Sequence, residues 1–288
     1  MKVLVLGCKG QLGRCLKDQL TNTDYEVTYT SRDQVDISKF EEARIKITHI
    51  AADVIINASA YTAVDKAEDE SELAYAVNRD GVENLALACK AQNIPLIHIS
   101  TDYVFDGTKE SPYLVSDIPN PIGVYGASKY AGEEVLRATW DKHIILRVSW
   151  VFGLHGNNFV KTMLRLAKER DELNVVDDQF GAPTSAKAIA REILRYISND
   201  DSSYGLFHLE SGPGVTWYEF AQRIFALAAH FNAVDHSPAL TAVSSLGFPT
   251  PVKRPQNSKL SAGGESIFPV QSWQADLDDL LLRISDQK

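Results

Sequence analysis

What this chain has little of narrows it first. Its 288 residues hold three cysteines, and Cys8, Cys15 and Cys89 show neither metal-ligand nor disulfide spacing, a usage that fits a reducing cytoplasm. Positive charge is in short supply: 29 Lys and Arg face 38 Asp and Glu, a formal net charge of −9. Binding a polyanion requires clustered cations that displace counterions, so nucleic acid is not an expected partner. Long apolar runs are also missing. The first one, residues 1–6, breaks at Gly7 and is too short for a signal peptide. No stretch approaches the roughly 18 apolar residues of a membrane span. No repeat or low-complexity tract occurs. The remainder, 44% hydrophobic and 23% charged, predicts a soluble cytoplasmic protein with one large or two modest domains and no membrane partner.

Through the first half, short apolar runs alternate with longer amphipathic stretches. Residues 3–6, 27–30, 54–57, 96–100 and 144–148 read as buried strands, and 11–20, 39–48, 71–91 and 125–138 as helices. This alternation predicts an α/β fold, a Rossmann-type doubly wound parallel sheet covered on both faces. A closed eightfold barrel shares the alternation, but the second half lacks the strand–helix units it needs. From about residue 150 the pattern turns irregular, with helices at 159–169, 185–197 and 217–231. A breaker-rich stretch then spans 247–264, with Pro249, Pro251 and Pro255. The expected division is an NAD(P)-binding domain over 1–150, to which roughly 172–200 return, and a smaller α+β substrate-binding cap over 151–288.

Directly after the first strand stands Gly7-Cys8-Lys9-Gly10-Gln11-Leu12-Gly13. Glycines here permit a tight turn, close backbone approach to a diphosphate and close packing of helix on strand. The helix start offers free N–H groups to the phosphates. The G-x-x-G-x-x-G spacing is looser than that of many dehydrogenases; its place at the first strand–helix junction points to a dinucleotide turn, with a merely tight βα turn as the plainer alternative. At the end of the second strand stand Ser31 and Arg32, where an acid would bind the ribose hydroxyl of NAD. An arginine there accommodates the 2′-phosphate, so NADPH is the expected cofactor, with NADH the alternative. A solvated surface arginine is the plainer reading of Arg32. Asp36 and Ile37 are candidates to meet the adenine, and Ala60, Tyr61 and Thr62 to line the dinucleotide path.

Of the 11 tyrosines only Tyr125 has a lysine four residues on, at Lys129, which puts both side chains on one helical face. A phenol is a poor acid–base catalyst near neutrality until a neighbouring cation depresses it. Thr101, at the carboxyl end of the fourth predicted strand, lies where ligands bind such sheets and is a candidate to hydrogen-bond a carbonyl that Tyr125 protonates. For Thr101 and Asp102 a local turn or cap is the bland alternative.

With the glycine turn, Thr101 and the Tyr125/Lys129 pair, the chain resembles the extended short-chain dehydrogenases/reductases. Within that superfamily it is similar to the dTDP-4-dehydrorhamnose reductases. The matching stretches include Gly10-Gln11-Leu12-Gly13, Ala60-Tyr61-Thr62-Ala63-Val64-Asp65, Ser100-Thr101-Asp102-Tyr103-Val104-Phe105, Tyr125-Gly126-Ala127-Ser128-Lys129 and Arg254-Pro255-Gln256-Asn257-Ser258. The resemblance implies NADPH-dependent reduction of the C4 carbonyl of dTDP-4-dehydro-β-L-rhamnose, the last step of dTDP-L-rhamnose synthesis for cell-surface polysaccharide. It makes Tyr125 the proton donor and Thr101 the group that polarises the carbonyl. Lys129 would hold the nicotinamide ribose and lower the tyrosine. It puts Asp102 and Trp150 in the sugar pocket and Asn78 in support of the cofactor. Asn158 and Arg254 are candidates for the diphosphate, with loop capping and surface solvation as their bland readings. Some relatives are described with glutamates that bridge subunits through a metal; Cys15 stands at one such place, so no metal is expected and the chain is a monomer or homodimer. Two alternatives remain open: another nucleotide-sugar reductase or epimerase, and a non-catalytic nucleotide-binding subunit like the β subunit of methionine adenosyltransferase.

Overall fold

The computed structural model describes residues 1–199, 203–248, 250–264 and 266–286; Pro249, one of the expected breakers, lies outside them. Five short apolar runs become strands β1 (Lys2–Leu6), β2 (Glu26–Thr30), β3 (Val54–Asn57), β4 (Leu96–Thr101) and β5 (His143–Val148). A sixth strand, Gly205–His208, pairs with β5 at the edge, and the sheet runs β2-β1-β3-β4-β5-edge. Every pairing is parallel. The order reverses between β1 and β3, which is the topological switch point where ligands settle in doubly wound sheets.

Alternation within β1 shows why both faces are covered. Val3 and Val5 enter the core beneath one pair of helices, α1 (Gln11–Leu20) and the later Ala186–Ser198. Leu4 and Leu6 enter the core on the other face, under α2 (Phe40–Ile50) and two further helices. Those begin beyond a short α3 (Ser71–Tyr75): they are α4 (Gly81–Gln92) and α5 (Val124–Thr139). Each of these aliphatic side chains, fully buried, contributes about 1.5–3 kcal/mol.

The single helix expected over 71–91 is interrupted by a π turn at Ala76–Asp80. An extra residue per turn pushes backbone outward, and such turns recur at functional sites. Here α5 lies against it: a Cβ on Gly132 would stand 2.0 Å from the carbonyl oxygen of Asn78. Glycine at 132 is therefore what lets the two backbones meet.

The second half builds another core. Helices α6 (Phe159–Leu166), α8 (Trp217–His230) and α9 (Trp273–Ser285) enclose Phe152, Val160, Phe220, Ile224, Leu277 and Leu281. Between α6 and α8 runs the helix already met on the sheet, α7 (Ala186–Ser198). A parallel pair, Glu172–Val176 with Ala239–Val243, flanks this core. The chain thus weaves between layers: 172–176 stay with the second core, while α7 and the edge strand join the sheet. Among the described residues no helix is long and apolar enough to cross a membrane.

Candidate active site

The turn after β1 has the cramped backbone its glycines imply. Gly7 has φ +76°, and a Cβ there would lie 2.7 Å from the backbone of Ala58; one on Gly13 would lie 2.3 Å from the oxygen of Gly7. Gly10 caps α1 without any side-chain hydrogen bond, and the first amides of a helix have no acceptor within it. Above them opens a cleft of about 450 Å³ lined by Gly7, Gly10, Ser31, Arg32, Asp36, Ile37, Ala60, Tyr61 and Thr62 among others, a size suited to a cofactor. Arg32 lies on its rim, with Nε 3.4 Å from Asp36. Lys9 and Asp33, which the sequence reading passed over, also line it and pair at 2.6 Å. The signal for Lys9 was its place inside the glycine turn.

Gln11, Leu12 and Gly13 do not line the cleft. Gln11 turns toward the second half, where Nε2 donates to the carbonyl of Val151 at 3.2 Å and Oε1 accepts from Asn158 at 2.7 Å. Asn158 also caps α6, its Oδ1 accepting from the amide of Lys161. The amide of Asn158 is thereby spent on capping and on tying the glycine turn to the second core.

Thr101, Asp102, Tyr125 and Lys129 gather at the carboxyl end of β4 and on α5. Thr101 Oγ1 donates to Asp102 Oδ1 at 3.1 Å and accepts from the amide of Tyr103 at 3.2 Å. Burial pushes the Tyr125 phenol up to about 12, with its hydrogen bond to Thr101 pulling the other way. The depression of Tyr125 expected from Lys129 is not seen here, because the lysine is directed elsewhere. Its Nζ donates to the carbonyl of Ile99 at 2.6 Å and lies 3.2 Å from Nε2 of His98. Burial brings Lys129 down to about 8, with Glu133 drawing it up. Asp102 is pushed up to about 6 by burial, against Ser258 and Thr101. Its Oδ2 has no hydrogen-bond partner among the described residues.

Asn78 joins the two regions. Its Oδ1 accepts from the amide of Tyr61 at 2.9 Å and its Nδ2 donates to the Tyr61 carbonyl at 3.1 Å. The same Nδ2 donates to Ser128, beside Lys129, at 3.0 Å. One buried side chain thus fixes the cleft wall to α5.

From the second half, Trp150 stacks on Trp217 with centroids 3.5 Å apart and planes 5° from parallel. The backbone of Trp150 is left-handed, φ +45°, a strained state for a bulky residue and one that clusters at ligand sites. Arg254 holds Asp65 through Nη2 at 2.8 and 2.9 Å and lies over Tyr103 at 6.0 Å. Its buried Nη1 has no partner among the described residues. Sequence reasoning missed His98 and Asn57, which sit inside the strands as ordinary strand residues, and Trp217, which it read only as a helix start. Cys15 is buried, its thiol pushed up to about 11 by burial, and the described residues include no metal-binding cluster of His, Cys, Asp or Glu.

Comparison with known proteins bears on this arrangement as a whole. A family model described as the RmlD substrate binding domain matches residues 1–285. A dTDP-4-dehydrorhamnose reductase of Aggregatibacter actinomycetemcomitans is 43% identical over 287 residues, covering 97% of this chain and 98% of that one. The crystal structure of a dTDP-4-dehydrorhamnose reductase from Clostridium acetobutylicum superposes with TM-score 0.90 at 38% identity, covering 98% of each chain. That of the enzyme from Bacillus anthracis, solved in complex with NADP, gives TM-score 0.91 at 35% identity over 98% and 99% of the two chains. Likeness at this level spans the sheet, the glycine turn, the β4–α5 cluster and the second core together, and the chain belongs to the family of the RmlD substrate binding domain, that of the dTDP-4-dehydrorhamnose reductases.

Proposed function

We propose that the chain catalyses NADPH-dependent reduction of the C4 carbonyl of dTDP-4-dehydro-β-L-rhamnose to give dTDP-β-L-rhamnose. The observation that carries this reading is the end-to-end match to reductases of that name, with Thr101, Tyr125 and Lys129 present. NADPH, when bound, supplies hydride. The chain's own residues do the rest. The amides after Gly10 and the cation of Arg32 receive phosphates. Thr101 hydrogen-bonds the carbonyl, Tyr125 delivers the proton to the new alkoxide, and Lys129 holds the ribose. A phenol held up at about 12 keeps its proton at neutral pH, the form that reduction of a carbonyl consumes.

Residues 1–150 with α7 and the edge strand form the cofactor-binding part in this reading, and most of 151–288 the sugar cap. Asp102, Trp150 and Arg254 belong to the sugar and diphosphate side, and Asn158 supports it by position. The enzyme acts in the cytoplasm on a small nucleotide sugar, as monomer or homodimer.

The test is NADPH absorbance at about 340 nm with the purified protein and a panel of nucleotide 4-ketosugars. Oxidation of NADPH with the dTDP-linked sugar is expected. In Tyr125→Phe, NADPH should still bind while turnover falls by about 10²–10⁴. Binding of the sugar without loss of NADPH would overturn the reductase reading in favour of a binding subunit.

A further inference from the structure

Beneath the Tyr125/Lys129 pair runs a chain of wholly buried polar side chains whose hydrogens can be counted. Asn57 on β3 and His98 on β4 are register partners, and neither is exposed. The backbone amide of Ser59 donates to Asn57 Oδ1 at 3.0 Å. A backbone N–H can only donate, so this contact sets which way the Asn57 amide faces. Its Nδ2 is then the atom 3.0 Å from His98 Nδ1, and since an amide nitrogen also only donates, Nδ1 must accept. Burial, above all, holds His98 well below its ordinary value, so the ring is neutral and carries one proton, on Nε2.

That N–H points at Lys129 Nζ, 3.2 Å away. An ammonium has three hydrogens and no lone pair, so it would set donor against donor. A neutral amine accepts from His98 and still donates to the Ile99 carbonyl at 2.6 Å. We infer that His98, its tautomer fixed by Asn57, is a positioning residue that favours the neutral amine of Lys129 over its ammonium. The inference rests on the reading of Lys129 as part of the reductase site.

The charges facing this pair do not undo it. Glu133, one turn on along α5, draws Lys129 toward its charged form. Its carboxylate, however, is taken up by Arg147 of β5 at 2.9 and 2.6 Å and by Ser100 of β4. His143 of β5 also lowers His98 and so keeps the ring neutral. Tyr125 stays a phenol, and with burial moving Lys129 to about 8 the neutral amine is its main form above that pH. While Lys129 rests on His98 it adds no positive charge beside Tyr125, and proton uptake by the amine accompanies its release from the histidine.

Two spectra of the isotopically labelled full chain test this without reading turnover, so a failure of the reductase assay and a failure here are separable. Long-range proton–nitrogen correlation, with His98 assigned by its loss in His98→Gln, should show a protonated Nε2 and a bare Nδ1. The opposite tautomer, or an imidazolium at neutral pH, would overturn the inference. Lysine Cε resonances followed with pH, with Lys129 assigned by Lys129→Met, should show one amine titrating well below the rest. In His98→Gln, whose side-chain oxygen accepts from an ammonium, that midpoint should rise by about one pH unit or more, tenfold in proton affinity. An unmoved midpoint, or a wild-type Lys129 titrating with the surface lysines, overturns it. Should His98→Gln not fold, the wild-type lysine titration, assigned by Lys129→Met, decides alone.

Discussion

The two ends of the site are built by opposite means. At the glycine turn the groups proposed to bind the cofactor are backbone amides and exposed cations, Lys9 and Arg32, each leaning on an acid at the rim. Under α5 they are wholly buried ionic and polar side chains, tied in two chains: Asn57–His98–Lys129 and Ser100–Glu133–Arg147–His208. Water screens the first set, so its charges are adjustable and weakly coupled to folding. The second set has no water to fall back on, so each group there is bound to the fold that desolvates it. The end at the glycine turn is therefore free to be tuned, while the end under α5 is locked.

The largest effect that would break this contrast is at Glu133. Its two oxygens receive Nε and Nη2 of Arg147, and both side chains are at most 1% exposed. Glu133→Ala leaves a buried guanidinium with no carboxylate, and about 3–5 kcal/mol of stability should be lost in denaturant unfolding. A loss no greater than that of a surface substitution would mean that water reaches α5 and that the two ends differ less than their burial indicates.

Next in size is a pH effect at the far end of the same chain. His208 Nε2 lies 3.3 Å from Arg147, and burial, with that guanidinium, lowers the ring to about 4. The unfolded chain, with histidine near 6.5, binds the proton first. Stability is thus full above about 6.5 and is lost as pH falls through the window to about 4, on the order of 3 kcal/mol at its end. In His208→Asn that loss should be absent, so wild type and variant converge on acidification. Asp102, raised to about 6, gains stability in part of the same window, but it does so in both proteins and cancels. Parallel pH curves would show that His208 is not buried neutral.

How much of this was readable beforehand divides along the same line. The strands β1 to β5 announce themselves as short β-branched runs between breakers, and the glycine turn, Arg32, Thr101, Tyr125 and Lys129 by residue type and position. All of these signals are local. The edge strand Gly205–His208 has four residues and no run to mark it. The pairing of 172–176 with 239–243 joins segments far apart in sequence, and no local pattern specifies it. The last helix was legible in Leu277, Leu280 and Leu281, spaced for one face of a helix, but not read. The π turn holds Asn78 against Tyr61 and Ser128, tertiary contacts that no local pattern announces. His98 and Asn57 look like any polar residue in a strand until register puts them side by side. So the adjustable end and the reacting side chains of the locked end were visible in sequence, and the buried partners that lock them were not, because locking is a matter of who is buried against whom.

At the adjustable end, Arg32→Ala should weaken NADPH relative to NADH by roughly tenfold in direct binding, since a single charge-assisted contact to the 2′-phosphate is removed. The melting temperature should hardly move. Equal weakening of both cofactors would assign Arg32 to the rim surface and return cofactor choice to some other group.

The smallest effect is expected at Lys9 and Asp33, and it sharpens the contrast from the other side. The pair is short, 2.6 Å, yet both side chains are at least 70% exposed. Each shifts the other, the carboxylate downward and the ammonium upward, but in water such a pair spends side-chain freedom for what it gains in attraction. Lys9→Ala and Asp33→Ala, alone or together, should leave the unfolding midpoint where it is. Any shift in Lys9 titration seen at low salt should fade in molar salt, as the screening length shrinks to about 3 Å. A destabilisation that persists at high salt would mean that the glycine turn draws structural support from this bridge. Exposure alone would then no longer separate the tunable end of the site from the locked one.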